Sequence, residues 1–212
     1  LLISEFYAQV SAHCDKGTNV QVETEIPLAT ARAVGFIEAN YNLRYMRKVT
    51  RYALASRTLV LPIWTKKVEY ARRADLGQDG SERYDPIPQA TTPRVLSIEL
   101  DSDPSGFVLQ GERTMIFDAF RVTAPVTTVD VFAVEKTNWS VLPVGTEPWL
   151  LSQAQGAVLG RTMVEMAPFC REPDWVSTYG IMYESHLKVL TLEQDDFDAS
   201  GGPEEWTMRP SS

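Results

Sequence analysis

The residues able to do chemistry in this chain are few, and they do not converge. Of the two histidines, His13 stands beside Cys14. Adjacent residues on a helix point about a hundred degrees apart, so this pair does not make a nucleophile and its base. His186 falls on the edge of an apolar helical stripe and reads as structural. Asp101-Ser102-Asp103 has the opening spacing of a calcium loop, but Gly106 runs straight into apolar sequence without the closing glutamate. Gly77-Gln78-Asp79-Gly80 lacks the preceding strand and the Lys-Ser or Lys-Thr of a phosphate-binding loop. Asp195 and Asp196 mimic a carboxylate dyad, yet no apolar wall follows that would shift either acid. No catalytic residue, metal ligand or cofactor is expected, and no nucleic-acid contact can be assigned to particular residues. Cys14 and Cys170 are too few and too far apart for a disulfide framework, so both read as free, partly buried thiols.

The elements that would position any site can be read from pattern. With 212 residues, 44% hydrophobic and 23% charged, the chain is able to build a packed core without disulfides or metal. No run of about 18 apolar residues marks a membrane span, and Glu5 interrupts the opening Leu1-Leu2-Ile3. The chain is therefore expected to be soluble and intracellular when made. It opens on Leu rather than Met, so anything upstream of Leu1 is invisible to this reading.

Phe6, Tyr7 and Val10 give a short amphipathic helix over Ser4–His13. After a linker, Thr24 is a candidate cap for a second helix with Pro27 in its first turn, carrying Ala29, Ala33, Phe36, Ile37, Asn40 and Tyr41 on one side and ending near Tyr45. From Lys48 the period changes toward two. Thr50–Leu54 and Arg57–Leu61 read as a hairpin, and Ile63–Tyr70 as a further strand. Polar residues 72–92 read as a long loop. Val95–Leu100, Gly106–Gln110, Thr114–Asp118 and Val126–Glu135 complete about six or seven strands, antiparallel because their connections are short.

Thr146-Glu147-Pro148 opens a third helix expected to reach Ala167. Its small residues Ala154, Gly156, Ala157 and Gly160 predict a close crossing at Gly156 and Gly160, because glycine inside a helix costs about 1 kcal/mol against alanine and needs a packing reason. A fourth helix, Pro173–Leu192, carries Val176, Tyr179, Tyr183, Leu187 and Leu190 and should form a hairpin with the third. Beyond it, 195–212 reads as a flexible acidic arm bearing Phe197, Trp206 and Met208, which is expected to order on a neighbour. The fold class is thus α+β. A bundle of about four helices, from 1–47 plus 146–194, has an antiparallel β region, 48–145, inserted between helices two and three.

The formal charge is −8, which argues against a surface built to grip DNA. Basic residues cluster at Arg44, Arg47, Lys48, Arg51 and Arg57, then at Lys66, Lys67, Arg72 and Arg73. Solvated faces are one reading of them. The other is a docking patch for an acidic partner, in which Arg44, Arg47, Lys48 and Arg51 receive the arm of the next subunit.

A helix reading Ala33-Val34-Gly35-Phe36-Ile37-Glu38-Ala39-Asn40-Tyr41-Asn42-Leu43-Arg44-Tyr45-Met46 is followed by Thr58-Leu59-Val60-Leu61-Pro62 and by the glycine-centred hairpin Val108–Phe117. Val129–Glu135, Trp149–Gly160, Met166-Ala167-Pro168-Phe169 and Trp175–Leu190 then come in turn. This order of segments resembles the head-to-tail adaptor, or connector, family of tailed bacteriophages. It implies a non-enzymatic virion protein at the neck, made in the host cytoplasm and assembled as a ring of about twelve copies. Its implied partners are the portal protein, tail or nozzle proteins, and DNA passing through the channel without specific binding. Another head-completion, neck or tail subunit is the alternative, and a cysteine-dependent hydrolase a remote one. The 72–92 segment and the acidic arm depart from the family pattern.

Overall fold

The structure is a computed structural model that describes residues 1–14, 19–76, 82–90, 99–100, 102–121 and 127–199. It is α+β, with five helices and predominantly antiparallel sheets among these residues. Two compact units divide the chain: 1–44 with 138–212, and 45–137. The joins expected at 47/48 and 145/146 thus fall at 44/45 and 137/138.

In the helical unit, α1 (Ile3–Cys14) buries Ile3, Phe6, Val10 and Cys14, which recur at steps of three and four residues. α2 (Val20–Asn40) begins earlier than the Thr24 cap would allow. Asn19 is the cap, its side-chain oxygen accepting from the Gln21 N–H at 3.0 Å. Thr24 lies a turn inside and donates its hydroxyl to the Val20 carbonyl, and Pro27 is interior rather than in the first turn. The helix stops at Asn40, because Tyr41 turns extended while its N–H still bonds to Ile37. A 3₁₀ turn, Arg44–Met46, follows where helix was expected to run to Tyr45.

The single helix expected over 146–167 is two. α3 (Trp149–Gln153) and α4 (Gln155–Cys170) meet at Ala154, whose φ of −131° breaks the helical path. Pro148, not Thr146, occupies the cap position. Pro168 is accommodated in the last turn of α4, and Arg171 closes it in the left-handed region at φ 58°. The following N–H, from Glu172, reaches back to Ala167 at 3.0 Å, satisfying an end carbonyl that would otherwise lack a partner.

α5 (Trp175–Ala199) continues past Leu192 through Asp195, Asp196, Phe197 and Asp198. The arm expected from 195 therefore begins as helix. None of residues 195–199 is a glycine or proline, so the helix is not broken there. Trp206 and Met208 lie outside the described residues. α4 packs most extensively on α5 and then on α2.

The β unit contains β1 (Arg47–Ala53), β2 (Thr58–Val60), β3 (Thr65–Leu76), β4 (Glu82–Ile87), β5 (Glu99–Leu100), β6 (Phe107–Gln110), β7 (Thr114–Phe117), β8 (Ala119–Phe120) and β9 (Thr128–Glu135). An antiparallel sheet has the order β1-β9-β3-β4, a second β2-β7-β6, and β5 pairs with β8 in parallel. The hairpin expected between Thr50–Leu54 and Arg57–Leu61 is absent: β1 pairs with β9, and β2 with β7. Sequence neighbours thus enter different sheets. The long loop expected over 72–92 is in large part a strand pair, since β3 runs to Leu76 and β4 returns beside it. Polar composition does not mark a loop here, because an edge strand tolerates polar, solvent-facing side chains such as Asp85. Gly111 at φ +70° makes the β6–β7 turn in a conformation that side chains with a Cβ resist.

One face of the four-stranded sheet supplies Val68, Ala71, Ile87, Val129, Val131 and Ala133 to a core shared with Phe107, Met115 and Phe117. The opposite face carries charge and aromatic rings.

Candidate functional site

On that opposite face the register sets Arg51, Asp130 and Arg72 side by side across β1, β9 and β3. Asp130 is 2% exposed. Burial alone would push its carboxyl up; hydrogen bonds and charge from Arg51 and Arg72 outweigh that and hold it below its ordinary value. Arg51 Nε donates to one carboxylate oxygen at 2.7 Å, and Arg72 Nε to the other at 3.1 Å. The Arg72 guanidinium lies 3.9 Å from the centroid of the Tyr84 ring and 5.0 Å from that of Phe132, and Phe132 stacks on Tyr70 at 4.0 Å. Aromatic faces are electron-rich and hold the cation that holds the acid. The arrangement orders a surface: its one buried acid is already matched by two cations.

The expected basic patch is divided. Arg44 belongs to the helical unit, while Arg47, Lys48 and Arg51 lie on β1. Arg47 Nε lies 3.3 Å from Glu69, and Lys48 Nζ 4.0 Å from Glu135. Arg57 donates to the Phe117 carbonyl at 3.0 Å. Arg47 and Arg51 thus have carboxylate partners within the unit, while the Lys48 side chain stays 55% exposed. Arm residue Phe197 falls within α5.

Asp103 is taken up similarly, accepting from Arg121 at 2.6 Å, Arg73 at 2.9 Å and Thr127 at 3.1 Å. Two guanidiniums on one carboxylate leave it unsuited to calcium, and Asp101 lies outside the described residues, as does the 77–80 glycine segment. No cluster of three metal-ligating side chains occurs among the described residues.

In the helical unit, His13 Nδ1 is 3.1 Å from the Tyr179 hydroxyl, and Cys14 and Cys170 are buried and not joined in a disulfide. At Gly160, a Cβ would come within 2.8 Å of the Tyr183 backbone nitrogen and 2.9 Å of the Tyr179 carbonyl oxygen. Glycine is what allows α4 and α5 to approach there. At Gly156 the nearest atoms, at 2.6 Å, belong to the ring of His186, a side chain rather than backbone. Beside this crossing, Arg161 lies over the Phe36 ring at 4.0 Å and pairs with Glu165.

The sequence reading missed the Asp130 network and the exposed apolar group of Val60, Ile63 and Trp64 at the entry to β3. An aspartate flanked by Val129 and Val131 was the available sign of a buried acid. The sequence matches no protein-family model and no curated protein. No helix among the described residues is long and apolar enough to cross a membrane.

Proposed function

We propose that this chain is the repeating subunit of a head-to-tail adaptor ring, a non-enzymatic virion protein at the neck of a tailed bacteriophage. The ring joins the portal to the tail and lines the channel through which DNA passes. One observation carries the reading. The two ends of the chain build a helical unit and the middle builds a β unit inserted after α2, the architecture implied by the family that the sequence resembles. The segments with the strongest resemblance, α4 and α5, are those whose contact depends on Gly160. A structural role also accords with two buried thiols and with carboxylates matched to guanidiniums rather than held open to a substrate.

The test is the mass of the purified chain in solution, alone and with portal protein, by light scattering. A closed assembly of discrete mass, alone or on the portal, is the expected result. A chain that stays monomeric in both conditions and binds no portal refutes the proposal.

A further inference from the structure

The four-stranded sheet ends in two strands that no other strand covers among the described residues, β1 on one side and β4 on the other. An open edge of six or seven residues is a template for pairing, and folded proteins rarely leave one that long without a use or a guard. Because β1, β9, β3 and β4 alternate strictly in direction, β1 and β4 run opposite ways. A second copy set beside the first in the same orientation therefore brings its β4 antiparallel to β1. The edges also differ in charge: β1 carries Arg47, Lys48 and Arg51 and no acid, whereas β4 carries Glu82 and Asp85 with Arg83.

We propose that β1 of one copy pairs with β4 of the next, with Val49 opposite Tyr84, so that the sheet continues from subunit to subunit. This rests on the adaptor-ring reading and names the contact that would build the ring. Val49 and Tyr84 share the face that carries Asp130, and they are 44% and 40% exposed. A β-branched residue opposite an aromatic one is a favourable cross-strand pair. The same register sets Lys48 opposite Asp85, both on the other face. The Lys48 and Asp85 side chains are 55% and 60% exposed, so each keeps a free side for a neighbour beyond its contact with Glu135 or Arg73. Sliding the register by two residues sets Lys48 against Arg83 in one direction and Ile87 in the other, losing the match. Pro86, which has no N–H to give, falls opposite Arg47 near the end of the stretch, where one missing bond matters least. An interface between unlike edges repeats head to tail and closes into a ring when the rotation permits.

Two measurements on the full chain test this. In the first, Val49→Cys and Tyr84→Cys variants are mixed under mild oxidation and the linked peptides identified by mass spectrometry. A 49–84 disulfide between copies is expected, with a ladder of linked copies when both substitutions are in one chain. In the second, Lys48→Asp or Asp85→Lys alone should weaken association by roughly threefold to fivefold per contact, and the two together should restore it. Melting temperatures of the dilute variants check that each is folded. Failure to form the 49–84 link, or charge reversals without effect on association, overturns the pairing. A chain that forms rings or binds portal without the 49–84 link loses this proposal and keeps the adaptor reading. A 49–84 link in a chain that neither closes into a ring nor binds portal does the reverse.

Discussion

Gly160 in the helical unit and Asp130 in the β unit are both tightly enclosed, for opposite reasons. Gly160 is defined by what it lacks, since any Cβ would strike the α5 backbone at Tyr183. Asp130 is defined by what it carries, a buried charge held by two guanidiniums, one of which lies against two rings. The helical unit is specified there by shape, and the β unit by matched charge. The crossing at Gly160 should therefore respond to volume and hardly to acid, the Asp130 network to charge and to acid.

The largest effect is expected at Asp130. Removing one member of a buried ion pair leaves the other charges without compensation, so Asp130→Ala should destabilise the β unit by about 3 kcal/mol, read by chemical denaturation. Asp130→Asn, nearly the same size, should lose much of the same stability. Because the folded carboxyl titrates below its ordinary value of 3.8, its contribution is complete above that value and is lost as pH falls through the lower folded value. The gap between wild type and Asp130→Asn should hold from pH 7 to about pH 4 and close below it. A gap already closing at pH 6 would mean that the carboxylate is not held as described.

The helical unit offers the matching test. Gly160→Leu forces a side chain into backbone and should cost about 2–3 kcal/mol. Gly156→Ala meets only the ring of His186, which lies exposed and is able to turn aside, so it should change stability by less than about 1 kcal/mol. Equal effects at the two glycines, or an unchanged melting temperature for Gly160→Leu, would remove the argument from shape.

A smaller effect is expected at Tyr183, packed beside Gly160. Burial first, and then Tyr41 and Glu184, push its hydroxyl up to about 12, against the opposing pull of Arg161. The fold favours the neutral phenol, so this contribution is present below pH 10 and disappears as pH rises toward 12. Tyr183→Phe should change stability by less than about 1 kcal/mol in either direction at neutral pH and remove a phenol that titrates near 12 from an ultraviolet titration.

What was legible in the sequence follows the same division. The close crossing on the third helix could be proposed from Gly156 and Gly160 because glycine in a helix interior is locally costly, and that cost is visible without a partner. The strands around Asp130 were read poorly because their logic is not local. Thr50–Leu54 and Arg57–Leu61 have the look of a hairpin, yet β1 finds its partner at Thr128–Glu135, far along the chain. Arg72 and Arg73 look like loop residues until Asp130, Asp85 and Asp103 are brought across from other segments. The helix boundaries failed on smaller grounds. Asn19 competes with Thr24 as a cap, and a break at Ala154 has no proline or glycine at the position itself to announce it.

The smallest expected effect is on DNA binding, and it follows from where the cations of the β unit are engaged. DNA affinity grows with the number of phosphates that Lys and Arg neutralise, and each such contact adds to the steepness with which salt weakens binding. Arg51 and Arg72 share Asp130, Arg47 approaches Glu69, Lys48 approaches Glu135, and Arg73 and Arg121 meet at Asp103. A phosphate drawn to any of these must compete with a carboxylate already beside it, on a chain of formal charge −8. Binding to a duplex should thus be weak, insensitive to sequence and gone by physiological salt, as the proposed channel wall would require. Asp130→Asn is the sharper probe, because it removes the acid that occupies Arg51 and Arg72. If those cations face DNA, the variant should bind duplex more tightly at low salt and show a steeper salt dependence than wild type in fluorescence anisotropy. If wild type and variant have the same slope, the charged face of the sheet does not meet DNA and its cations serve the fold alone.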